Sequence, residues 1–302
     1  MIATVLVRNV DSDVEHLEFS TFSLKRVGAP GDLAVARELF PEAGQGEWLL
    51  RKEYVSTAAA STIARDMEDL LLLLRLYRPG DLTFVEMQTD ASLSAFIAPH
   101  VGSCLSRPYV LKKAECTAWE EFAAPLIAGP RWKSTWFSAC RRFFLNGGNK
   151  EFDARDETRV DRVIDYIAAL EAALVHESDF LSRRLRDRTQ LLLDLRGNAD
   201  PGSKKCMKDV YDIRSTLIHG NRLRDDQSAY LRDEKKWWRF EELVREVIVE
   251  TLRRVPADDL GRRVYLTALF DPADTDKAEQ FRRNFKSIKD ENVRRALLEA
   301  LK

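Results

Sequence analysis

The chain has 302 residues, with 48 Lys+Arg against 49 Asp+Glu and a formal net charge of −1. At 45% hydrophobic and 32% charged it has the make-up of a globular protein, long enough for one large domain or two medium ones. The even balance excludes a general cationic coat or a nucleic-acid packager and leaves room only for a local basic site.

Four cysteines, Cys104, Cys116, Cys140 and Cys206, lie far apart, without zinc spacing or a disulfide framework. That usage predicts reduced thiols in a cytoplasmic protein. The N-terminus lacks the charged start and long apolar stretch of a signal peptide. The most apolar run, residues 70–74, falls far short of the ~20 residues a membrane span needs.

In chain order, residues 2–7 and 48–55 read as strands, the second interrupted by Arg51, Lys52 and Glu53. Ile63, Met67, Leu70, Leu71 and Leu74 recur at helical spacing, predicting a helix over 58–77 that stops at Arg78, Pro79, Gly80 and Asp81. Residues 82–87 resume as a strand. Thr117 and Glu120 form a candidate capping box for a short helix through Phe122, interrupted near Pro125. A further helix over 133–145 is expected to close at Asn146, Gly147 and Gly148. The charged stretch 150–159 then predicts a boundary, giving an N-terminal mixed α/β domain over 1–150 and helices over 151–302. The fold class expected is α+β.

Beyond the boundary, Val160, Val163, Ile164, Ile167, Leu170 and Leu174 make one apolar stripe. Phe180, Leu181, Leu185, Leu192 and Leu195 make a second, ended by Gly197 and Asn198. A third helix over 204–219 stops at Gly220 and Asn221. A long fourth covers 227–254 and ends at Pro256, with shorter segments over 258–270 and 274–302.

Histidine is scarce: His16, His100, His176 and His219. The first three read as surface or satisfied core residues. His219 sits in the last turn of a helix ending at Gly220, where unpaired carbonyls and the macrodipole favour a protonated imidazole. Such a group can take and give a proton near neutral pH. Arg214 lies roughly 140° from His219 around the helix, on the other flank of the apolar stripe, whereas Ser215 shares the face of His219. A site using both flanks is most easily built where two such helices meet, as in a two-fold dimer. The alternative is that His219 merely caps its helix and Arg214 pairs with Asp212 or a neighbour.

The run YDIRSTLIHG at 211–220 resembles the signature of HEPN domains, an Arg, four to six residues, then a His near a helix end. Ser after the Arg and Gly after the His make it most similar to the Apea-like subgroup. A second patch, DYIAALEAALV at 165–175 with FLSRRLR at 180–186, resembles the paired helices that precede the signature there. The likeness covers residues 151–270.

The resemblance implies a helical bundle that dimerises and, in active members, cuts RNA without metal or other cofactor. His219 would be the acid/base or would orient the 2′-hydroxyl, and Arg214 would hold the scissile phosphate. Many HEPN domains carry Asn, Asp or His where Ser215 stands. A hydroxyl there can bond to phosphate or imidazole. Asp212 would orient His219, or else pair with Lys208 at the surface. Asn221, just past the helix, joins the RNA-binding candidates. The implied partners are RNA, with tRNA as one candidate, a second copy of the chain, and a regulatory or antitoxin protein; no membrane is implied. The implied role is a toxin-like or antiphage nuclease, with residues 1–150 as a sensor or substrate selector. The alternative is a non-catalytic adaptor that binds RNA or a partner through the same cleft.

Arg183, Arg184, Arg186 and Arg188 fall within six residues. They read as a phosphate track, in which Arg184 and Arg188 share a face, or as a solvated face where Asp179 or Asp187 pairs with Arg183. Trp132, Trp136 and Phe137 with Arg141 and Arg142, and Trp237 and Trp238 with Lys235 and Lys236, interleave rings and cations. They read as core or dimer interface ahead of base stacking. Gly44 and Gly46 lack a dinucleotide fingerprint, and neither a phosphate-binding loop nor a metalloprotease, calcium or hydrolase motif occurs.

Overall fold

In the computed structural model the chain forms two compact units, Met1–Pro125 with Gly148–Thr158, and Leu126–Gly147 with Arg159–Lys302. The structure describes residues 1–55, 58–89, 94–95, 107–149, 156–176, 178, 181–197, 202–268, 291–292 and 294–295. His100, Cys104, Asp179, Phe180 and most of the expected helix over 274–302 lie outside these.

The first unit contains β1 (Ile2–Arg8), β2 (Val10–Asp11), β3 (His16–Glu18), β4 (Ser23–Arg26), α1 (Pro30–Leu39), β5 (Trp48–Glu53), α2 (Ala60–Tyr77), β6 (Thr83–Thr89), β7 (Ser94–Ala95) and β8 (Tyr109–Val110). Among the described residues, six strands form one sheet in the order β3-β4-β5-β1-β6-β7, antiparallel throughout, and β2 pairs with β8 in parallel. β1 is the central strand, and residues 3–7 are buried on both faces. One face carries Leu6, Leu49 and Val85, which pack with Ala36 and Phe40 from α1 and its end. β3, β4 and α1 were not expected from the sequence. In α2 the run 70–76 is buried throughout, and Arg75 donates to the Leu82 carbonyl from Nε at 3.0 Å and Nη2 at 2.8 Å.

α3 (Cys116–Ala128) continues through Pro125 rather than stopping there, and is entered by a short 3-10 turn over Lys113–Glu115. The expected capping box is not made: the Glu120 carboxylate accepts from the Ser20 backbone N–H. α4 (Thr135–Asn149) likewise runs through Gly147 and Gly148. Those glycines serve close approach: a Cβ on Gly147 would lie 2.7 Å from the Tyr166 ring.

The second unit is helical over its described residues. Besides α4 up to Gly147, it holds α5 (Asp156–Leu174) from Arg159 on, α6 (Leu181–Leu195), α7 (Gly202–Ile218), α8 (Asp225–Arg232), α9 (Glu234–Arg254) and α10 (Asp259–Ala268). The sequence division at 150 separates residues 126–147 from these helices. In the structure they belong together, with Trp136 donating to the Pro256 carbonyl at 3.2 Å and Phe144 against Tyr166. The expected single helix over 227–254 is two helices. Asp233 breaks it by accepting from the Lys236 N–H at 3.1 Å, an N-cap for α9. The chain is thus α+β, sheet unit first and helices after. Among the described residues no helix is long and apolar enough to cross a membrane.

Two buried arginines complete the end of α5. Arg262 reaches the carbonyls of Ala172 at 2.7 Å, Val175 at 3.0 Å and Ala173 at 3.4 Å, and Arg188 reaches that of Leu174 at 2.8 Å. A helix end leaves its last four carbonyls without intrahelical partners, and cations there also meet the negative end of the macrodipole.

Candidate active site on the third bundle helix

α7 ends in a different way. The Asn221 N–H donates to the Thr216 carbonyl at 3.0 Å and the Gly220 N–H to that of Leu217 at 2.9 Å. Gly220 has φ +70, the left-handed conformation that a glycine adopts without strain. These bonds make a Schellman motif with His219 as the C-cap. The turn is tied to α8 through Gln227, which donates to the Thr216 hydroxyl at 3.0 Å and accepts from the Arg224 N–H at 3.0 Å.

His219 is exposed, and its side chain makes no hydrogen bond or ion pair among the described residues. Ser215 lies one turn earlier, joined by the His219 N–H to Ser215 carbonyl bond at 3.2 Å, and is half-buried. Asp212 is exposed and, among the described residues, pairs with neither Lys208 nor His219. Asn221 is exposed beyond the turn. The structure therefore brings Ser215, His219 and Asn221 to one exposed helix end, with Asp212 on the same outward side.

Arg214 lies on the other flank, as the spacing required, and its partner is not Asp212. Nη2 meets Glu171 of α5 at 3.0 Å, Nη1 meets the Tyr211 hydroxyl at 3.4 Å, and the guanidinium lies 5.4 Å from the Tyr211 ring centroid. The pair is one-pronged: Arg214 Nε and Glu171 Oε1 are buried without hydrogen-bond partners. Burial pushes the Glu171 carboxyl above its ordinary value, against the lowering pull of Arg214 and of a hydrogen bond with Tyr211. Burial and the Glu171 charge raise the Tyr211 hydroxyl, and Arg214 opposes them. Because a guanidinium offers five donors, Arg214 can keep Glu171 and still present N–H groups to an anion.

The arginines of α6 are placed differently from the expected track. Arg188 is buried and donates to the Leu174 and Leu266 carbonyls, so it supports the fold and offers nothing to RNA. Its spacing from Leu185 and Leu192 already placed it on the apolar stripe. Arg183 is exposed and faces Asp187 at 3.7 Å, as the solvated-face reading required, while Arg186 meets the same carboxylate at 3.3 Å. Arg184 is half-buried and engaged.

The interleaved rings are mainly core. Trp132, Trp136, Phe137 and Trp237 are buried, and Trp238 is half-buried. His16 is exposed and meets Glu18 at 2.7 Å; His176 is half-buried. Glu171 and Tyr211 were not singled out in the sequence. Their signal is weak, because nothing in a stripe of Ile167, Leu170 and Leu174 marks the adjacent Glu171 as an arginine partner.

Set against protein-family models, curated proteins and solved structures, the chain matches none. The likeness to HEPN domains rests on the quoted residues and the order of the helices.

Proposed function

We propose that this chain is a metal-independent endoribonuclease of HEPN type, acting as a homodimer in the cytoplasm. The observation that carries the reading is the exposed His219 on a glycine-closed helix end, with Ser215 one turn behind and Arg214 on the adjoining flank. His219 takes the proton of a ribose 2′-hydroxyl, or orients that hydroxyl, as its oxygen attacks the adjacent phosphorus. The bond to the 5′-oxygen breaks, and that oxygen leaves with a proton. The products are a 2′,3′-cyclic phosphate and a 5′-hydroxyl. Arg214 stabilises charge that develops on the phosphoryl oxygens. Ser215 bonds to phosphate or imidazole. In the dimer, two α7 ends supply both flanks of one cleft. The sheet unit selects the RNA or senses a trigger, and a regulatory or antitoxin partner restrains a toxin-like or antiphage activity for which tRNA is one candidate substrate.

The Arg214–Glu171 pair favours a second reading, a non-catalytic adaptor, because the phosphate-binding cation already has a carboxylate partner. The two readings differ in the ends of RNA incubated with purified protein in EDTA. The nuclease generates new 2′,3′-cyclic phosphate termini. Bound RNA without new ends supports the adaptor and removes the enzyme.

A further inference from the structure

The cations around α7 differ in whether another group already holds them. On α6, Arg188 is buried against carbonyls, and Arg183 and Arg186 converge on Asp187. On α7, Lys205 is held by Asp209 at 2.6 Å and Arg214 by Glu171. Beyond the turn, Arg224 is held by Asp226 at 3.1 Å. Lys204, Lys208 and Arg222 are exposed and have no hydrogen-bond or ion-pair partner among the described residues.

Their positions are ordered. Lys204, Lys208, Ser215 and His219 fall on one side of α7, opposite the buried Cys206, Val210 and Ile213. At helical rise Lys208 lies roughly 16 Å and Lys204 roughly 22 Å along the axis from His219. Arg222 follows three residues after His219, on the far side of the Gly220 turn. Asp212 is the one carboxylate with no partner on this side of α7 among the described residues. It sits between Lys208 and Ser215, where it leaves a gap in the row of positive charge.

We propose that Lys204, Lys208 and Arg222 form the track along which a single-stranded RNA backbone reaches His219, in place of the α6 arginines. Unpaired, exposed cations give the largest counterion release on meeting phosphates, because no protein carboxylate competes for them. The inference takes His219 as the destination from the ribonuclease reading; the binding it describes does not depend on cleavage.

The test is the salt dependence of binding of fluorescein-labelled single-stranded poly(U) to the full chain in EDTA, read by anisotropy. Each of Lys204→Ala, Lys208→Ala and Arg222→Ala should lower the slope of log K against log salt by about 0.7, and the triple variant by about 2. Arg183→Ala with Arg184→Ala should move the slope less than the triple variant. The track is overturned if wild type does not bind, if the triple variant keeps the wild-type slope, or if the α6 double variant loses as much. Slopes that fall as expected in a protein that never cuts RNA keep the track and remove the nuclease. Cleavage by wild type with slopes unmoved does the reverse.

Discussion

The ends of α5 and α7 are finished in opposite ways. At the end of α5, four carbonyls are met by Arg188 and Arg262, two residues distant in sequence and buried. At the end of α7, the closing bonds come from the next few residues, through Gly220, and no arginine is used among the described residues. The first arrangement consumes its positive charge in the interior. The second leaves an imidazole and the nearby Arg222 facing solvent. Local closure is what lets a helix end present chemistry, because its carbonyls need no side chain to satisfy them.

The sharpest way to break this contrast is Arg262→Ala. It strips donors from three carbonyls and should lower the stability of the full chain by roughly 3 kcal/mol or more, read from urea unfolding. Arg188→Ala removes two such contacts and should cost roughly 2 kcal/mol. A loss below that of an ordinary surface change would mean that these guanidiniums do not hold the α5 end.

Arg214→Ala should cost roughly 2 kcal/mol at neutral pH, since it leaves Glu171 half-buried without its cation. The cost should shrink on acidification. Glu171 is raised above 4.5 in the folded chain, so the folded state holds the proton more tightly than the unfolded state. Its ionisation therefore destabilises as pH rises from the unfolded value through the folded one, and the penalty is absent below both. Removing Arg214 takes away the main lowering influence and enlarges the penalty. The gap between wild type and variant should thus narrow from neutral to mildly acidic pH. A gap independent of pH would exclude Glu171 as the linked group.

At the α7 end, Gly220→Ala should cost only about 1 kcal/mol. The position has φ +70 but open space around a new Cβ, so the cost is conformational alone. The smallest effect on stability should be that of His219→Ala, within about 0.5 kcal/mol, because its exposed side chain makes no hydrogen bond or ion pair among the described residues. A larger loss would make His219 a structural cap.

Much of this contrast is legible in the sequence, and for physical reasons. Gly220 and Asn221 after an apolar helical stripe signal a glycine-closed end, and the 140° between Arg214 and His219 follows from helix geometry. β1 and α2 are readable because a β-branched run and helical spacing dominate there. The arginine-finished end is illegible, since Arg262 meets α5 only through the tertiary fold. The pairing of Arg214 with Glu171 is hidden for the same reason. Gly147 and Gly148 mislead, because close approach and helix termination use the same residue. Asp233 was readable as an N-cap, but the apolar period continues across it and conceals the break.

The most direct test of the central claim compares wild type and His219→Ala for cleavage of RNA in EDTA, with size-exclusion elution and urea unfolding measured on the same samples. The account predicts 2′,3′-cyclic phosphate ends from wild type, none from His219→Ala, and the same elution and stability for both. Equal cleavage by the two proteins, or no cleavage by wild type, would contradict it.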